Sequence, residues 1–282
     1  MKKAVLLAIL LSAYNLLIAQ DKGISFSLEP SLGITLHSKS TATIEKKNLE
    51  WLMNIQSALN YHGKNFNFDS DLNLTFGQIV QSGQIPEKTQ DEFILNIMPS
   101  VKLFKSSGIR LFLQTKAETQ LAKGWADDQE TNFADPLFLT HTLFIGNKKH
   151  SVKIKEKNNF NLSYGVGYSL QQIVKKNFVP VSEYQQSGEE VFINGPTAVF
   201  NCKFKRSLSE NTSVSFLFNS LFLMKKGFLK NTDNSRFSSL LNASFSYKIL
   251  SVQYNGRLVY DKEISYKRQL TQTLVFGVKF DL

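Results

Sequence analysis

Residues 66–77 read FNFDSDLNLTFG. Phe66, Phe68, Leu72, Leu74 and Phe76 share one parity, and Asn67, Asp69, Asp71, Asn73 and Thr75 share the other. Successive side chains of a strand point to opposite faces, so this stretch is a ribbon with one apolar wall and one polar wall. The same period runs through Ile24, Phe26, Leu28, Leu32, Ile34 and Leu36 over 24–36, and through Trp51, Met53, Ile55, Leu59 and Tyr61 over 51–61. It returns with Phe93, Leu95, Ile97, Val101 and Leu103 over 92–103, and with Ile109, Leu111 and Leu113 over 109–120. Over 159–171, Phe160, Leu162, Tyr164, Val166, Tyr168 and Leu170 oppose Asn159, Asn161, Ser163 and Ser169. Further strands read at 197–205, 213–223, 237–248, 251–261 and 270–282, and a weaker one near 138–146, where the alternation blurs. The total is twelve.

Each segment is about 9–13 residues, longer than the usual 5–6 of a globular sheet. That length matches the ~9–11 residues a tilted strand needs to cross a bilayer. The gaps 37–50, 78–91, 121–137, 172–196 and 224–236 are long, whereas 62–65, 104–108, 206–212 and 249–250 are short. Only 147–158, expected short, breaks the rhythm. Short turns at one end and long loops at the other are the habit of outer-membrane barrels. A soluble sandwich or lipid-binding barrel would alternate too, but with shorter strands and the apolar face turned inward. Here the polar face is crowded with Asn, Asp, Lys and Ser, which suits a wall that is wet inside and lipid-bathed outside. Backbone groups in hydrocarbon must be paired within the protein, and the closed barrel is the β solution. The expected fold is therefore all-β: an up-and-down antiparallel transmembrane β-barrel of about 12 strands, within a range of 10–14.

The rest of the chain agrees with export. Met1 to Ala19 reads as a signal peptide, with Lys2-Lys3 as the basic region, Ala4 to Leu11 as the apolar region and Ala19 before the cut. Residues 20–282 then form the barrel domain. Of the 282 residues, 42% are hydrophobic and 20% charged, so a disordered polypeptide is excluded. Cys202 is the single cysteine, which rules out an internal disulfide and a multi-Cys metal site. The formal charge of +10 becomes +8 once Lys2 and Lys3 leave with the leader. The lysines are dispersed (Lys148-Lys149, Lys175-Lys176, Lys225-Lys226), so no nucleic-acid partner is expected; solvated loop charge is the default reading, and a cationic rim facing anionic lipid headgroups is the functional one.

The closing stretch LTQTLVFGVKFDL places Phe276, Val278, Phe280 and Leu282 on one face. Gly277-x-x-Phe280-x-Leu282 resembles the sorting signal by which bacterial barrel-assembly machinery recognises outer-membrane barrels, with Val275 standing where a polar residue is usual. More broadly, DSDLNLTFG (69–77), KTQDEFILNIMPSVKL (88–103), FLQTKAETQ (112–120), NFADPLFLTHTLFIG (132–146) and the stretch 247–282 resemble a Bacteroidota family of outer-membrane barrels classed as a domain of unknown function. The resemblance implies location and fold, and no activity.

Parity assigns charged residues to the lumen: Glu29, Asp69, Asp71, Glu92, Lys102, Arg110, Lys116 and Glu118 in the first half. Lys203, Lys205, Lys248, Arg257, Asp261 and Lys279 follow in the second. They make either a charged constriction that selects solutes or a salt-bridged interior that plugs a narrow barrel. The expected role is a passive small-solute channel or a structural or assembly platform; the alternative is a plugged barrel that binds a partner or surface lipid through loops 121–137 and 172–196. A lipid-acting enzyme is the third reading. Its one candidate is His141, flanked by Thr140 and Thr142 and not by Ser. Neither G-x-S-x-G nor a P-loop occurs. The acidic loop with Trp125, Asp127, Asp128, Glu130 and Asp135 fits no calcium-binding repeat. His37, His62, His141 and His150 lack ligand spacing. No cofactor and no metal are expected, and the barrel is read as a monomer.

Overall fold

The computed structural model describes residues 24–41, 44–80, 87–104, 107–126, 129–153, 158–174, 191–232, 234–261 and 265–279. The predicted leader, Phe280 and Leu282 lie outside them. Among the described residues there is no helix. Fourteen strands follow one another, beginning with β1 (Ile24–Thr41), β2 (Ile44–His62), β3 (Phe66–Val80), β4 (Glu87–Lys102) and β5 (Ile109–Thr119). Next come the short β6 (Gly124–Ala126) and β7 (Gln129–Thr131), then β8 (Leu137–Lys153), β9 (Asn158–Val174) and β10 (Val191–Ser207). The last four are β11 (Thr212–Met224), β12 (Ser235–Tyr247), β13 (Leu250–Asp261) and β14 (Ser265–Lys279). Twelve of them close a ring in which each pairs antiparallel with its chain neighbours and β14 returns to β1. β6 and β7 form a separate hairpin between β5 and β8.

Strand boundaries depart from the sequence reading. The barrel strands run 11 to 19 residues, because polar residues beyond the apolar stretch keep the ladder going. β1 and β2 stay paired to Thr41↔Ile44, so the expected long loop 37–50 shrinks to residues 42–43. The expected loop 78–91 shrinks to 81–86, and the anomalous 147–158 to 154–157. The alternation of connections survives in the second half: residues 208–211 and 248–249 are short, and 225–234 is long. Residues 248–249 are a two-residue turn with Lys248 at φ 53. This corrects the lumen assignment of Lys248, which is exposed at that turn.

Side chains sort by parity as the ribbon reading requires. Asn67, Asp69, Asn73 and Thr75 of β3 are buried inside. The outer wall is apolar and open, with Val166 69% and Phe276 57% exposed. Aromatic pairs mark its two edges, Tyr61 with Phe66 at the turn end and Trp51 with Phe76 at the loop end. From Phe66 to Phe76 β3 climbs roughly 33 Å at ~3.3 Å per residue. A tilt of about 40° reduces this to roughly 25 Å, the height of the apolar band on outer-membrane-type barrels.

The blurred alternation near 138–146 has a packing cause. Phe138 and Phe144 point inward while His141, Leu143 and Ile145 point outward, so both faces of β8 carry large apolar groups. Phe144 stacks on Phe112 with ring centroids 4.4 Å apart, and both are buried with Met98 and Val199. Gly165 and Gly167 make the room: a Cβ on Gly167 would come within 2.5 Å of Phe144. Part of the lumen is thus a dry core.

The seam is narrow. β1 and β14 pair over Ser31–Ile34 with Phe276–Lys279, against eighteen pairs between β1 and β2. Gly33 and Gly277 face each other there, and a Cβ on Gly33 would meet the Val275 side chain at 2.1 Å and Phe276 O at 2.9 Å. Gly33→Val is expected to block closure and abolish the heat-modifiable folded band on gel electrophoresis. A folded Gly33→Val barrel would contradict this seam.

Candidate functional site

Glu118 projects into the lumen from β5 and Arg257 from β13, diametrically opposite in the ring of twelve, and their side chains meet at 2.9 Å. Arg257 also binds Glu92 of β4 at 2.9 Å. Arg236 of β12 reaches Glu118 at 3.0 Å and Asp261 of β13 at 3.1 Å. Lys116 lies 3.0 Å from Glu118, and Lys225, just after β11, pairs with Asp261. Phe138 seats under the Arg236 guanidinium at 5.3 Å. Arg236, Glu118 and Asp261 are each under 5% exposed. A planar guanidinium with several donors is the group that can hold two carboxylates at once. The network therefore ties opposite walls together toward the loop end.

Nearer the turn end, two further ion pairs cross the lumen: Lys203 to Asp71 at 3.0 Å and Lys205 to Glu29 at 2.8 Å. Their lysines are about one-third exposed. Between the two levels lies a void of about 1140 Å³, counting its solvent-open part, walled by β1–β5 on one side and β10–β13 on the other.

The remaining predicted lumen residues have individual fates. Asp69 is buried among His62 at 3.1 Å, Lys148 and Asn161 at 3.2 Å. His62 packs on His150 with centroids 3.7 Å apart, so the fold joins two histidines that look scattered in sequence. The Lys148 ammonium among them opposes a cation there, and no metal-binding group of three or more His, Cys, Asp or Glu occurs among the described residues. Arg110 donates to Asn65 O and Ser100 O, which makes it a clamp on the turn after β2 and not a solute-facing charge. Lys279 has the lumen parity in register with Ser31, but its side chain is outside the described set. The rim reading of Lys148 and Lys225 is corrected, since both are turned inward onto carboxylates. Arg236 and Glu50, each one residue before a predicted strand and on its inward parity, are buried charges the sequence reading missed.

Outside the lumen, Cys202 is partly exposed on the outer wall between Phe200 and Phe204. His141 also faces outward, with Nδ1 3.1 Å from Thr115 Oγ1, so the two satisfy each other's polar groups on the lipid-facing wall. The acidic loop is tied down at its base. Asp91 accepts from the backbone N–H groups of Leu121 and Ala122, and Gln120 donates to Asn132 O and Asp135 O. Asp127 and Asp128 lie outside the described residues.

A wall that is apolar outside and ionic within, closed on itself, defines a membrane-spanning β-barrel. The model of a family described as "Protein of unknown function (DUF3078)" matches residues 42–125. No curated protein matches the sequence. Among solved structures, the chain is similar to an outer membrane channel from Pseudomonas putida F1, at 9% identity and a TM-score of 0.38, covering 92% of this chain and 96% of that one. It is similar to the translocator domain of the autotransporter NalP from Neisseria meningitidis, at 12% identity and 0.34, covering 99% and 97%. A third is OmpF of Salmonella typhi, at 7% identity and 0.29, covering 93% and 99%.

Removing Arg236 leaves Glu118 and Asp261 buried with one cation fewer. Arg236→Met is expected to lower unfolding stability by about 3 kcal/mol, read by urea unfolding from lipid vesicles. An unchanged midpoint would show that the network adds nothing to stability.

Proposed function

We infer that this chain is an outer-membrane β-barrel that offers small solutes a path through its lumen, held shut at rest by ion pairs spanning opposite walls. The observation that carries this is Glu118 bonded to both Arg236 and Arg257 across the ring. Among the described residues it is side chains that bridge the way, and ion pairs between side chains exchange partners without unfolding a strand. Behind them lies a void walled by both sides of the barrel, as a path requires. The apolar outer band and the aromatic edges support residence in a bilayer, and the likeness to a Bacteroidota barrel family supports the outer membrane as the site. The bilayer and the assembly machinery are the partners this role implies, with Gly277, Phe280 and Leu282 as the recognition signal and a monomer as the working unit. Nothing in the role needs catalysis. The second reading, a permanently plugged barrel acting through its loops, is favoured by how deeply the same network is buried.

Planar-bilayer recording separates the two. Wild type is expected to show little steady conductance, and the double variant Glu118→Gln, Arg236→Met an increase of about fivefold or more. A wild type conducting like an open pore, or a folded variant that stays silent, would sink the gated-path reading.

Membrane placement has its own check. In a Cys202→Ala background, Val166→Cys is expected to resist a membrane-impermeant maleimide in vesicles and to react in detergent. Ser209→Cys, on an exposed turn, serves as the reactive control. Equal labelling of both in vesicles would place the wall in water.

A further inference from the structure

The void between the two levels of ion pairs is lined by carboxamides. Gln56 faces Asn73 across β2 and β3, Asn201 faces Asn219 across β10 and β11, and Asn242 faces Asn255 across β12 and β13. Gln114 of β5 completes the belt by donating to Asn96 Oδ1 of β4 at 2.7 Å. All line the one void. Several of these groups are buried with polar atoms unpartnered: Asn73 Oδ1, Gln114 Oε1, both polar atoms of Asn242, and Asn255 Nδ2. Asn73 is 8%, Gln114 4% and Asn242 6% exposed. A buried amide atom without a partner costs on the order of 1–3 kcal/mol, so a concentration of them around one space calls for an occupant that hydrogen-bonds.

The charges beside the belt are already neutralised in pairs, Asp71 with Lys203, Glu29 with Lys205 and Lys116 with Glu118. An ionic solute would have to break one of them. A carboxamide presents a donor and an acceptor side by side, the arrangement a vicinal pair of hydroxyls satisfies. Ile94, Leu221 and Leu240 add an apolar surface to the same void, suited to the C–H face of a sugar ring.

We propose that the amide belt is a binding site for neutral polyhydroxylated solutes. The proposal rests on the lumen being a solute path and names the class of solute.

Equilibrium binding of glucose and maltose to the purified barrel, in a sugar-free detergent, tests it by saturation-transfer NMR. Acetate and glycine serve as charged comparators. Maltose is expected to bind and the comparators not to. The double variant Asn242→Leu, Gln114→Leu is expected to weaken maltose binding about tenfold or more. Asn159→Leu, which alters a buried unpartnered amide away from the void, is expected to leave it unchanged. Should the leucines prevent folding, Asn242→Ser is expected to show the same direction of loss. Absence of sugar binding by the folded wild type, or equal binding by the belt variants, would overturn the proposal and leave the belt satisfied by water. Because the measurement needs no conductance, gated conductance without sugar binding sinks this inference alone. Sugar binding in a barrel that no variant can open sinks only the path.

Discussion

A backbone N–H or C=O that faces hydrocarbon has no water to bond, and each one left unpaired costs several kcal/mol. That constraint governs this molecule. It forces each strand to pair on both sides, which in a sheet of finite width means closure, and closure brings β14 back to β1. The same constraint makes the seam demanding, since it rests on a short register with Gly33 against Gly277. Glycine is required there because the two strands approach too closely for any side chain.

Closure then decides what the interior can be. Twelve strands enclose more space than side chains on adjacent strands can fill and less than an open porin channel needs. This barrel resolves the intermediate size in two ways at once. On the β4–β10 side it packs Met98, Phe112, Phe144 and Val199 into a dry cluster, with glycines on β9 making room. On the other side it leaves a void and bridges it with long charged side chains. Arg236 and Arg257 span the gap because a guanidinium on a long stem reaches far and holds two carboxylates. Burying these charges is tolerable because each is paired and hydrogen-bonded.

Much of this was legible beforehand. Strict parity in 66–77 and 159–171 declared which side chains face lipid, because a one-residue error in a two-faced strand exposes its whole polar set. The inward placement of Asp69, Asp71, Lys116, Glu118 and Arg257 followed from the same parity. Strand ends were less legible, since polar residues such as Lys46 and Lys47 of β2 continue a ladder outside the bilayer without any apolar signal. β8 was blurred because Phe138 and Phe144 carry apolar groups on the wet side. Lys248 failed because parity says nothing at a turn, where its φ of 53 takes it out of the strand.

The sequence by itself determined the period, the count of strands and the chemical character of the two walls, because those are local consequences of a backbone that repeats every two residues. Which charges meet was decided only by the tertiary structure. Glu118 and Arg257 are 139 positions apart, and no local rule links them. Ring size and the reach of the long side chains decide that they meet. The same closure brought His62 onto His150 and gathered the amides of eight strands around one space, since proximity across a lumen depends on how the whole sheet curls.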